Sequence, residues 1–143
     1  MTPTPIHRQR GLTLIELVTV MAITAILTTT AWGGYQQHML TSRRAEGRAA
    51  LLRVLVQEER QFSYRHAYRA FQPGNGEAEF KWFSGERPER SAYHIAAQAC
   101  EGEDLRSCVR VTATPAGIHH DQQCGALYVD TRGRRGAAGD SCW

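Results

Sequence analysis

Glu16 is the only ionisable side chain in an apolar segment that runs from Leu12 to Trp32. The segment is long enough to cross a bilayer, which takes ~20 residues. Even lenient insertion scales assign a cost of ~2.5–3.5 kcal/mol to an Asp at the centre of a membrane helix, so intramembrane carboxylates are usually paired or functional. We therefore expect Glu16 to have a binding partner or another functional role.

Four cysteines form a second group that could do chemistry. Cys100, Cys108, Cys124 and Cys142 all lie in the last 44 residues. An even number of cysteines in a small exported domain predicts disulfides and a compartment outside the cytoplasm, with three connectivities open. The alternative is a zinc site that uses His119 or His120, but the cysteines lack the CxxC spacing typical of such sites.

No catalytic set is recognisable in the sequence. His119, His120 and Asp121 follow Gly117 and are interpreted as solvated turn residues. A Gly-rich phosphate loop, an HExxH motif and a defensible carboxylate pair are all missing from the sequence. We expect neither an enzyme nor a bound cofactor or metal.

Three arginines close together near the C-terminus raise nucleic-acid binding as a second class of function. Arg132, Arg134 and Arg135 lie in one Gly-containing loop, and Arg106 and Arg110 precede them in the chain. A basic patch is the electrostatic signature of phosphate contact. The net charge of the whole chain is only +3, which makes the patch weak support for DNA binding.

One long helix is predicted to carry the first half of the chain. Residues 35–68 contain no proline and have apolar residues at helical spacing, so the helix is expected to run from Leu12 to about Tyr64. Its second half is predicted to pack a face of Leu52, Leu55 and Val56 on the domain, and the charged segment 42–49 is interpreted as a solvated face.

Short strands are predicted after this helix. Residues 93–98, 108–113 and 125–129 are rich in Val, Ile, Tyr or Thr and are followed by turn residues. Trp82 and Phe83 are expected to anchor the preceding loop to the sheet. Because isolated hairpins are marginal in water, the sheet needs the helix for its core. The fold class is therefore α+β, with a long N-terminal helix on an antiparallel sheet of three to four strands.

The start of the chain resembles the prepilin signal of type IV pilins and their pseudopilin relatives. A short basic leader ends at Gly11 and is followed by Leu-Thr-Leu-Ile-Glu, whereas an ordinary secretory signal is cleaved after its apolar region. A plain signal peptide or signal anchor is the alternative. The resemblance implies that a prepilin peptidase cuts after Gly11 and methylates Leu12, and that Glu16 pairs with the Leu12 amine of a neighbouring subunit.

The end of the chain resembles the tail of minor pilins. The likeness rests on Val109-x-Val-x-Ala-Thr-Pro, on the Cys124-Gly-x-Leu-x-Val-Asp stretch and on the terminal Cys142-Trp143. It favours pairing of Cys124 with Cys142, as in the C-terminal disulfide loop of pilins, and of Cys100 with its neighbour Cys108, across the turn between the first two strands.

The resemblance implies a structural subunit with three parts. Residues 1–11 would be the leader, residues 12–34 the transmembrane and filament-core helix, and residues 35–143 a periplasmic or extracellular domain of pilin fold. The expected partners are other pilin subunits, the prepilin peptidase, the inner-membrane pilus assembly machinery and the membrane. A DNA-uptake pilin and a type II secretion pseudopilin are the alternatives.

Overall fold

The computed structural model describes residues 13–74, 79–117 and 119–143, apart from the side chains of residues 30–32. The chain divides into two compact units, residues 1–38 and residues 39–143. Gly11 and Leu12 lie outside the described residues, so their role in processing stays a prediction.

Helix α1 covers Leu14–Arg65, close to the predicted 12–64. Thr13 begins it as an N-cap: the backbone N–H of Glu16 donates to Thr13 Oγ1 at 3.4 Å. Within the first unit the described residues 14–29 are all exposed, and they include the apolar side chains Leu14, Ile15, Leu17, Val18, Val20, Met21, Ile23, Ile26 and Leu27.

The second unit contains one antiparallel sheet, which confirms the α+β prediction. Its strands are β1 (Tyr93–Ala99), β2 (Val109–Pro115), β3 (Leu127–Asp130) and β4 (Arg135–Gly136), and they lie side by side in chain order. A short 3-10 helix, η1 (Pro88–Arg90), precedes β1. In β1 and β2 every second residue is buried, as expected for strands with one face on a core.

The core of this unit joins the sheet to the second half of α1. Leu51 and Val54 are almost completely buried and cluster with Tyr93, Ile95 and Val111. The predicted packing face was wrong in two of its three members: Leu52 is 41% exposed and Val56 is 60% exposed, whereas Leu55 is partly buried. The helix instead buries the face of Leu51 and Val54, which lie one residue before Leu52 and two residues before Val56.

The segment 42–49 is not simply a solvated face, as the sequence had suggested. Arg44 and Gly47 are buried on the same side of the helix as Leu51. A Cβ added to Gly47 would lie 2.8 Å from Cδ2 of the Tyr93 ring. Glycine is therefore needed at position 47 because the helix and the first strand approach so closely.

The loop before β1 is anchored as predicted. The N–H of Ile95 donates to the carbonyl of Trp82 at 2.7 Å, and the N–H of Ser84 donates to the carbonyl of Tyr93 at 2.9 Å. The Trp82 ring also contacts the His94 ring, with centroids 5.2 Å apart. The aromatic pair thus holds the loop along the outer edge of β1.

Candidate functional site

Glu16 lies in the first turn of α1 and is exposed. A carboxylate in that turn also interacts favourably with the helix dipole. The threonines around it satisfy their hydroxyl groups within the helix: Thr24 Oγ1 donates to the Val20 carbonyl at 2.8 Å, and Thr28 Oγ1 to the Thr24 carbonyl at 2.9 Å. Glu16 is therefore the one described side chain in the segment that brings a charge into apolar surroundings.

Helix α1 is long and apolar enough to cross a membrane. It contains an 18-residue window with a mean hydropathy of 1.9, and none of that window is buried. Length and composition alone support this statement. The exposed apolar surface would be unfavourable in water, so it requires a lipid or protein environment.

Arg132 and Arg134 lie on the turn between β3 and β4, and Arg135 is the first residue of β4. Asp130, which is fully buried, organises this turn: its Oδ1 accepts the backbone N–H groups of Arg132 and Arg134, each at 3.0 Å. Arg134 also donates through Nε to Asp130 Oδ2 at 2.7 Å. The turn thus holds the Arg134 guanidinium against a buried carboxylate.

Two of these arginines form ion pairs. Arg132 pairs with Glu103, and Arg134 pairs with Asp130. Arg135 instead lies over the Trp143 ring, with 5.6 Å from its Cζ to the ring centroid. The positive charge available for phosphate is therefore smaller than the sequence count indicates.

The four cysteines form two disulfides, Cys100–Cys108 and Cys124–Cys142, which confirms the favoured pairing. Cys100 follows β1 and Cys108 precedes β2, so the first bridge closes the turn between these strands. The second bridge ties the end of the chain to the segment before β3. No thiol remains free for a metal, so the Cys/His zinc alternative was wrong.

A buried ionic network, missed by the sequence analysis, joins α1 to the segment after β2. Arg44 donates two hydrogen bonds of 2.7 Å to the carboxylate of Asp121, which is 5% exposed. Asp121 also accepts from Tyr93 Oη at 3.2 Å and from the N–H of Cys124 at 3.0 Å. The interpretation of Asp121 and His119 as solvated turn residues was therefore wrong.

The network shifts the pKa of each of its members. The hydrogen bonds from Arg44 lower the pKa of Asp121 to about 2. Burial, together with the charge of Asp121, raises the pKa of Tyr93 to about 12. Burial and the nearby Arg43 guanidinium lower the pKa of His119. At neutral pH the network thus holds a charged Arg44–Asp121 pair beside a neutral imidazole.

Glu58 is a second buried carboxylate, on the packed face of α1. Its side chain is fully buried, and Oε2 accepts the N–H of Arg69 at 2.9 Å. Within the part of the chain that the structure describes, Oε1 has no hydrogen-bond partner. Burial raises the pKa of Glu58 to about 7, so a neutral carboxyl group is present there at a pH where most glutamates are ionised.

Comparison with known proteins decides the family. A family model described as "Prokaryotic N-terminal methylation motif" matches residues 6–32. A second model, described as "Type IV minor pilin ComP, DNA uptake sequence receptor", matches residues 34–128. The chain belongs to the type IV pilin family. This confirms the resemblance to type IV pilins that the sequence analysis found.

Two relatives of this pilin are informative. The type IV major pilin protein PilA of Myxococcus xanthus (strain DK1622) is 30% identical over 111 residues, which cover 78% of this chain and 47% of the relative. This pilin thus spans about half the length of that relative. The solved structure of a type IV pilin from Shewanella oneidensis matches with a TM-score of 0.51 and 22% identity, covering 73% of this chain and 97% of that one. The second likeness supports the pilin fold.

Proposed function

We propose that this chain is a minor subunit of a type IV pilus and has a structural role in pilus assembly. The match of residues 34–128 to a minor-pilin model carries this proposal. The methylation-motif match over residues 6–32 supports cleavage between Gly11 and Leu12, with residues 1–11 as the leader. The remaining parts are a membrane and filament-core helix, residues 12–34, and a periplasmic or extracellular domain, residues 35–143.

In this proposal the subunit waits in the inner membrane and then enters the filament. Inside an apolar bundle, the Glu16 carboxylate would pair with the Leu12 amine of a neighbouring subunit. Pairing offsets the cost of placing each charge in apolar surroundings. The carboxylate would then also fix the axial position of one subunit against the next.

An exposed apolar stripe in the second unit supports a role in subunit packing. Leu52 and Val56 lie on α1 with Ala45 and Ala49, at spacings of three and four residues, and all four are exposed. Such spacing places them on one face of a helix. That face is distinct from the one that packs on the sheet, so α1 has a second apolar face available to a neighbouring subunit.

The test is quantitative mass spectrometry of sheared surface filaments. We expect a peptide that begins at methylated Leu12, present at low stoichiometry relative to the major subunit. Glu16→Ala should leave membrane insertion intact and reduce incorporation into filaments, because the Leu12 amine would lose its partner. Glu46→Ala removes an exposed glutamate further along the same helix and is the matched control. Normal incorporation of the Glu16 variant would refute the proposed pairing.

DNA uptake is the second candidate, favoured by the words "DNA uptake sequence receptor" in the matching family description. The proposed contacts are Arg132, Arg134 and Arg135. Their pairing with Glu103, Asp130 and the Trp143 ring weakens this candidate. If DNA binds there, Arg135→Gln should weaken binding to all DNA sequences. It should also reduce the slope of log K against log salt concentration by about one, whereas Arg53→Gln on the helix should change neither.

A type II secretion pseudopilin is the third candidate. Pseudopilins often lack the C-terminal disulfide or carry a calcium site. The Cys124–Cys142 bridge therefore supports a pilin over a pseudopilin. A processed chain that stays in the inner membrane and is absent from sheared filaments would favour the pseudopilin.

A further inference from the structure

A cleft of about 370 Å³ opens in the second unit beside the buried ionic network. Three separate elements contribute its polar lining: Arg43 from α1, Glu89 and Arg90 from η1, and His119 from the segment after β2. We call it the His119 cleft. Neither the pilus proposal nor the DNA-uptake proposal uses these residues.

The contact between Arg43 and His119 fixes the proton position on the imidazole. Arg43 Nη1 lies 3.3 Å from His119 Nδ1. A guanidinium can only donate, so Nδ1 is the acceptor and the proton of the neutral ring lies on Nε2. His119 is 4% exposed, and its Nε2 has no hydrogen-bond partner among the described residues. His119, which lines the cleft, therefore holds a buried N–H donor without an acceptor in the part of the chain that the structure describes, and this is an unfavourable arrangement.

The arginines of the cleft carry unused charge as well. Among the described residues, neither Arg43 nor Arg90 forms an ion pair. Asp121, the nearest buried carboxylate of the network, is already bound by Arg44. Glu89 is the one acidic residue among the described residues of the lining, so two guanidinium groups share the cleft with a single carboxylate.

We propose that the His119 cleft binds a phosphoryl group, with Arg43, Arg90 and His119 Nε2–H as the donors. Guanidinium groups bind phosphate and carboxylate oxygens in forked geometry. Three donor groups on three elements suit the tetrahedral arrangement of oxygens around phosphorus better than the two coplanar oxygens of a carboxylate. Free phosphate and the headgroup of an anionic phospholipid both offer this chemistry.

The test follows the Nε2–H resonance of His119 by NMR in the full mature chain, held in maltoside micelles that contain no phosphate. Inorganic phosphate should shift this resonance in a saturable way. Arg90→Gln changes an exposed residue and should weaken binding about tenfold or more, the effect of losing one charged hydrogen bond. Arg87→Gln, three residues away and also exposed, is the matched control and should bind like the wild type.

A second experiment distinguishes free phosphate from a phospholipid headgroup as the ligand. Nanodiscs that contain phosphatidylglycerol in phosphate-free buffer are compared with nanodiscs made of phosphatidylcholine alone. A shift of the His119 resonance with phosphatidylglycerol only, without a response to inorganic phosphate, assigns the cleft to a lipid headgroup. A saturable response to inorganic phosphate assigns it to the free anion. No response in either arm, or equal weakening by Arg87→Gln and Arg90→Gln, would overturn the proposal.

Discussion

Replacing Asp121 by Asn removes the negative charge of the buried network while it keeps the size and most of the hydrogen-bonding capacity of the side chain. Arg44 is 8% exposed and would then be a buried cation without its anion. Breaking a buried ion pair in this way costs ~3–5 kcal/mol. Because Asn can still accept hydrogen bonds from Arg44, we expect a loss near the lower limit, about 3 kcal/mol.

The pKa shift of Asp121 gives a second, independent value for the stability that its charge contributes. The pKa of Asp121 is lowered from its ordinary value of 3.8 to about 2, which corresponds to roughly 2 kcal/mol of folding stability. A lowered carboxyl pKa stabilises the folded state above the unfolded-state pKa, and this contribution is lost as the pH falls from about 5 to about 2. The stability difference between wild type and Asp121→Asn should therefore shrink over that range.

The assay is urea denaturation of the full chain in maltoside micelles, followed by near-UV circular dichroism with the disulfides intact. At neutral pH, about 3 kcal/mol corresponds to a urea midpoint lower by roughly 1–3 M, because the free energy of unfolding of small domains falls by about 1–3 kcal/mol per M urea. Glu103→Gln is the control: it breaks the pair with Arg132, whose side chain is 54% exposed, and should cost less than about 1 kcal/mol. If the two variants lose equal stability, or if the difference from wild type does not change with pH, the reasoning is wrong.

Three further predictions concern the second unit and α1. Burial raises the pKa of Glu58 from 4.5 to about 7, so folding stability is lost as the pH rises between these two values. Glu58→Gln should therefore raise the free energy of unfolding by roughly 2–3 kcal/mol at pH 8 and should not change it at pH 4. Gly47→Ala should destabilise by about 1–3 kcal/mol through its clash with a buried tyrosine ring, whereas Gly34→Ala, with no atom within 4 Å of the added Cβ, should strengthen the helix by about 1 kcal/mol. Replacing Cys124 and Cys142 by Ser should cost about 3 kcal/mol.

Denaturation midpoints measure the changes in the second unit, and circular dichroism at 222 nm during heating measures the helix change. An equal effect of Glu58→Gln at both pH values would show that the pKa of the Glu58 carboxyl group is not raised in the folded state. Equal effects of alanine at positions 47 and 34 would contradict the proposed close approach of helix and strand. An unchanged midpoint without the second disulfide would show that the C-terminal segment packs without it.

The helix and the three longer strands were predictable because each has a local signal. The absence of proline from residues 35–68 and the apolar run before them predict one helix, and α1 covers Leu14–Arg65. Runs rich in Val, Ile, Tyr or Thr that are followed by turn residues predict the three longer strands. The strand β4 has only two residues, Arg135 and Gly136, and therefore has no such pattern. The turn that Asp130 organises brings these residues beside β3, where they pair with it.

The choice of packing face was not predictable from the pattern. Apolar residues follow both sides of α1 between residues 45 and 58, so the spacing fits the face of Leu52 and Val56 as well as that of Leu51 and Val54. Position 47 could have indicated the answer, because a glycine within a helix is often explained by close packing. The face that contains Gly47 and Arg44 is the one that meets Tyr93.

The buried ionic network could not be predicted from the sequence, for a different reason. Arg44 and Asp121 are 77 residues apart in the chain, and neither occurs in a motif that predicts the other. His119, His120 and Asp121 follow a glycine, and that context is typical of an exposed turn. Only the tertiary fold places Asp121 against the helix, where the cost of burying it is offset by Arg44, Tyr93 and the Cys124 N–H.

The tertiary fold, and not sequence proximity, also decides which arginines are available to an anion. Sequence proximity drew attention to Arg132, Arg134 and Arg135, but two of these already pair with carboxylates in the fold. Arg43 and Arg90 are 47 residues apart in the chain, yet both line the His119 cleft. A guanidinium that forms no ion pair among the described residues, and that lies near an N–H without an acceptor, gains more from an incoming anion than an arginine that must first release its partner. The His119 cleft is therefore the stronger anion site of this pilin.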